Sequence, residues 1–135
     1  MVGAVIAGRD QVFDDAWMKR LNISRKDFGI GMKSAEVTDL TKQIDVAALR
    51  EYRDAVGKRT REIVGAFQDA DWSGNIDAAP LERLAGQGVI TGQLAKVFSG
   101  RPRAAVLSGL ALFHPSSHMG EAVTVRSAGG FGTGV

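Results

Sequence analysis

Cysteine is absent from all 135 residues, which excludes disulfides, thiolate metal sites and a cysteine nucleophile. Charge of one sign is missing too. Seventeen Lys and Arg against 15 Asp and Glu leave a formal net charge of +2, despite a pI near 9.2. So small a surplus, interleaved with acids as in Arg50-Glu51-Tyr52-Arg53-Asp54, describes a solvated helix face and leaves no footprint for nucleic acid. No apolar run approaches the roughly 20 residues that span a membrane. The apolar start, Met1 to Ala7, lacks the basic region of a signal peptide, so a cytoplasmic location is expected. Nor does any stretch alternate with the two-residue period of a strand.

What remains is a helical protein. A chain of this length, 44% hydrophobic and 24% charged, supports one core, so residues 1–135 are read as a single all-α domain. Val2, Val5, Ile6, Phe13, Trp17 and Leu21 form one helical stripe, predicting an amphipathic helix from Val2 to Leu21. Gly3, Gly8 and Gly57 weaken their helices by about 1 kcal/mol each. Ser24 to Asp27 resembles a capping box, and Ser34 is placed to cap a short helix from Ala35 to Leu40.

The clearest element runs from Asp45 to Phe67, with Leu49, Tyr52, Val56, Ile63, Val64 and Phe67 on one face and Asp45 as its cap. A polar link from Asp69 to Asp77 leads to a short helix, Ala79 to Leu84, with Pro80 in its first turn. Val89 to Phe98 supplies another helical segment. Pro102 then opens a last helix through Val106, Leu107, Leu110 and Phe113, and the glycines from Gly129 onward end it.

The only two histidines, His114 and His118, lie on that last helix. At four residues apart they share a helix face, and two imidazoles so placed can grip one metal ion. Glu121, one turn further on, is the nearest local third ligand, and Asp10 and Asp14 are distant ones. Pro115 complicates the pair, because its ring clashes with the carbonyl of Ala111 at about 3 kcal/mol in a helix interior. Either the helix kinks there, or a new helix starts and the two rings need not align. The competing reading has His118 packing or hydrogen-bonding within the bundle and His114 marking a bend.

His114-x-x-x-His118-x-Gly120-Glu121-Ala122, together with Thr124-Val125-Arg126-Ser127 and the glycine-rich end, resembles the C-terminal helix of DinB-like (YfiT-like) proteins. Ala7 to Phe13, Leu49-Arg50-x-Tyr52-Arg53 and Gly100-Arg101-Pro102-Arg103 add to the resemblance, which covers nearly the whole chain. It implies a DinB-like helical bundle of up-down-down-up type, often dimeric. It also implies a divalent ion (zinc, nickel or iron) held by an H-x-x-x-H pair and a histidine of the second helix. Related members use small thiols in transferase and isomerase reactions, so a small-molecule substrate or thiol partner is implied as well. His114 and His118 match the pair, but Val2 to Leu21 contains no third histidine. Against the family pattern the chain also begins near the second helix. A homodimer, its bundle completed by a partner chain, is therefore expected. A degenerate bundle serving assembly or small-ligand binding is the alternative.

Two other motifs compete weakly. Asp69 to Asp77 matches the first nine positions of an EF-hand loop, but position twelve is Pro80 where calcium needs a bidentate Glu, and a turn between helices is the plainer reading. Gly129-Gly130-Phe131-Gly132 lacks the strand and helix of a phosphate loop and reads as a tail packing Phe131 on the bundle.

Overall fold

In a computed structural model of the chain, which describes residues 2–26, 29 and 31–132, the apolar start of the sequence lies at the centre of the core. Val2–Ile6 forms one π-helical turn, with Val2, Ala4, Val5 and Ile6 all buried. So short a turn is not held by its own hydrogen bonds. Burial holds it, at roughly 1.5–3 kcal/mol for each large aliphatic side chain.

Here the structure corrects the single helix expected from Val2 to Leu21. Gly8 adopts φ +60, a left-handed conformation open to glycine without steric penalty, and residues 8–14 carry no helix. Helix α1 (Asp15–Arg20) then starts afresh beneath Asp14, whose carboxylate accepts the Trp17 N–H at 2.8 Å. A glycine break and an aspartate cap prevail over the apolar periodicity. Asp27, part of the expected capping box, lies outside the described residues.

Helix α2 (Ser34–Gln43) begins one residue earlier than expected, because Glu36 rather than Ser34 supplies the cap, accepting the Lys33 N–H at 2.8 Å. Helix α3 (Val46–Gly65) forms as its sequence predicts, with the Asp45 carboxylate accepting the Ala48 N–H at 2.9 Å. Its buried Ile63 meets the first turn where Gly3 crosses. A Cβ at Gly3 would stand 3.2 Å from Ile63 Cδ1, so glycine permits this close approach. Further along α3, Tyr52 packs edge-on against Phe13 and Trp17, with ring centroids 5.8 and 5.3 Å away. Burial raises the pKa of its hydroxyl above the ordinary value.

The second half of the chain builds the other wall from short helices: α4 (Asp69–Ser73), α5 (Ala78–Gly86), α6 (Gly92–Phe98) and α7 (Arg103–Ser108). Thr91 caps α6 by accepting the Leu94 N–H at 3.1 Å. The expected helix from Val89 therefore starts later, leaving Ile90 buried in the turn before it. Leu81 and Leu84 of α5, Ala95 of α6 and Val106 and Leu107 of α7 close around the N-terminal turn as one cluster. Among the described residues there is no strand, only an isolated bridge between Asn75 and Pro102. The fold is all-α.

The EF-hand-like stretch does not form a calcium loop. Its first positions are helical in α4, and Asp71 is committed elsewhere, to the Gln68 N–H at 3.0 Å and to Arg103 Nη1 at 2.9 Å. That ion pair is partly shielded, the Arg103 side chain being 19% exposed, and it joins α4 to α7 beneath the bridge.

Candidate metal site

From α7 the chain continues through a π-bulge, Gly109–Phe113, into α8 (His114–Ala128). The bulge resolves the difficulty that Pro115 poses. The His114 N–H reaches back five residues to the Gly109 carbonyl, which widens the turn around the proline ring, and the helix is neither ended nor restarted. Hydroxyls cover the carbonyls of the strained stretch. Ser116 donates to Leu112 O at 2.7 Å and Ser117 to Phe113 O at 3.1 Å.

The two histidines stay in register on the continuous helix. Their Nε2 atoms stand 3.2 Å apart, with the ring planes 79° to each other. Two imidazole nitrogens bound at about 2.0–2.1 Å to a tetrahedral ion lie roughly 3.3 Å apart. That separation matches the bite of a chelate, and without an ion the same contact is a hydrogen bond between the two rings.

Glu121 does not join them on that side. Its Oε2 lies 2.7 Å from His118 Nδ1, on the opposite edge of the ring from His114. Assigned from that contact, Nδ1 carries the proton and donates it to the carboxylate, while Nε2 keeps its lone pair toward His114. A carboxylate in this place orients a metal-binding imidazole and raises its basicity. The cluster is open to solvent, with His118 61% and Glu121 69% exposed. His118 is thus hydrogen-bonded, to Glu121 and His114, rather than packed in the core.

The distant carboxylates have other work. Asp10 faces Arg83 Nη1 at 3.5 Å and Asp14 caps α1. Among the described residues no group of three or more His, Asp or Glu side chains is gathered as a metal-ligand set. The residues fit two positions of a coordination shell, and this chain brings no third to them.

Beside the site, between the N-terminal turn, α3 and the bulge, lies a cavity of about 450 Å³ whose wall includes Tyr52, Val56, Leu110 and Pro115. Asp10, Arg59 and Arg61 also line it. Nothing in the sequence singles out these two arginines. Helix α8 itself buries no residue. Leu112, Phe113, Met119 and Val125 are 62–72% exposed, and Phe131, expected to pack on the bundle, is 73% exposed. Among the described residues no helix is long and apolar enough to cross a membrane. No family model, curated protein or solved structure matches this chain.

Proposed function

We propose that this is a DinB-like helical protein that binds a divalent metal ion, zinc, nickel or iron, through Nε2 of His114 and of His118. The observation that carries the reading is the 3.2 Å separation of these two nitrogens, the spacing a tetrahedral ion requires. Glu121 belongs behind His118 as its orienting carboxylate, with direct ligation of the ion as the alternative role. Such an ion supplies Lewis acidity, and positions left open on it are where a small-molecule substrate or thiol would be polarised. His118 presents its lone pair, Glu121 holds the tautomer, and the exposed face leaves access unhindered.

A second reading, a non-catalytic bundle that binds a small ligand, is favoured by the 450 Å³ cavity beside Tyr52, a size suited to such ligands. Metal content separates the two. Untagged protein purified without chelator is expected to retain metal, and a His118→Ala variant to lose it. Equal content in both proteins, or none in either, refutes the metal reading.

A further inference from the structure

We propose that a second copy of this chain completes the site, one divalent ion being clasped by His114 and His118 of both copies across a two-fold axis. This inference rests on the metal reading and names what fills the remaining positions.

The ligand supply leads there first. The chain has two histidines and no cysteine, and both imidazoles are already spent on one chelating pair. Glu121 is held at the far nitrogen of His118, Asp10 faces Arg83 and Asp14 caps α1. An ion of this class takes four donors in a closed site. A two-fold axis through the ion turns one pair of nitrogens into two, which is the donor count of a tetrahedral shell, and a pair of identical patches is the commonest form of oligomer contact.

The surroundings admit a second copy. At helical spacing the face of the pair continues through Ala122 and Val125, which are uncharged, and its one formal charge, Glu121, is hydrogen-bonded to His118. Nothing on this face repels its own image. Since α8 buries none of its residues, the whole face is free to be approached. The chain also exposes 9185 Å², where a compact monomer of 14.3 kDa exposes about 6,800 Å². That excess of roughly 2,400 Å² belongs to the chain as a whole, α8 with its unburied residues included. With four imidazoles on it the ion of the dimer keeps no open position and serves assembly; the positions where a substrate would be polarised are those of an ion on the single chain.

The test is light scattering coupled to size exclusion, with zinc titrated into metal-free, untagged protein and bound zinc measured in the eluted peak. Zinc at half an equivalent per chain should double the mass, and chelator should restore the monomer. The His114→Ala and His118→Ala variants, with far-UV circular dichroism unchanged, should stay monomeric. Cobalt(II) at half an equivalent should give the intense visible band of a tetrahedral ion. One zinc per chain on a monomer overturns the shared site and leaves the metal reading standing. No zinc binding overturns both. A dimer that survives chelator, or one that His118→Ala still forms with zinc, overturns the shared site alone.

Discussion

Leu81→Ala tests the placement of the core, because Leu81 is 1% exposed and meets the buried N-terminal turn in one cluster. The substitution removes three carbons, and at about 0.8 kcal/mol per buried methylene the transfer term alone is about 2.4 kcal/mol. The gap left behind adds to this. An open groove of about 310 Å³ runs beside Leu81, Ala85 and Ala95, so water and side chains can move in, which keeps the total near the lower part of the 2–5 kcal/mol range. About 3 kcal/mol is expected. Spread over 135 residues at roughly 2.1 cal/mol/K each, that loss lowers Tm by about 10 °C. Val125→Ala is the control, since Val125 is 72% exposed and should change stability by less than about 0.5 kcal/mol. Urea unfolding monitored by Trp17 and Trp72 fluorescence reads both variants. If Leu81→Ala costs no more than Val125→Ala, the cluster around the N-terminal turn is not the core.

Tyr52 is the only tyrosine, so its ionisation can be tracked directly by absorbance near 295 nm. Burial raises its pKa above 10.0. The native titration midpoint should lie above that of the urea-unfolded chain, and the stability linked to it should be complete below pH 10 and decline as pH rises toward the raised native value. Coincident midpoints would contradict the burial. For Glu121→Gln, loss of the charged partner of His118 Nδ1 should weaken zinc binding about tenfold, the low end of the range for such orienting carboxylates, because the pair is exposed. Competition with a chromophoric chelator measures it, and unchanged affinity would show that Glu121 does not support the ligand.

Much of the architecture is legible in the sequence because local signals and burial agree there. Asp45 caps α3 and Pro102 precedes α7 as their residue types demand. The N-terminal stretch misleads because its apolar spacing satisfies a helical period that Gly8 and Asp14 interrupt, and periodicity does not register a left-handed glycine. The expected tail contact is absent for a different reason: α8, which the tail follows, buries none of its residues, and Phe131 is exposed with it. At the site, the spacing of His114 and His118 is readable, but the side of the ring that Glu121 takes is not. That choice depends on rotamers three residues apart on an exposed face, where spacing alone allows either nitrogen.

Pro115, which the sequence sets against the histidine pair, follows a turn that leaves the pair in register. In an uninterrupted helix, residues seven apart share a face, so His114 would continue the stripe of Leu107, which is buried. The bulge Gly109–Phe113 puts an additional residue into the turn between them and rotates α8 by roughly a quarter turn relative to α7. Leu107 stays in the core while His114 and His118 emerge on the open face of α8. The widened turn that accommodates the proline ring thus lies between Leu107, in the core, and the imidazoles on α8, which buries none of its residues. Four-residue spacing, unhindered access and freedom from the bundle then come together through one irregularity in the helix. Replacing Pro115 leaves the four-residue spacing in place, so a change in the separation of the two rings would measure what the widened turn contributes.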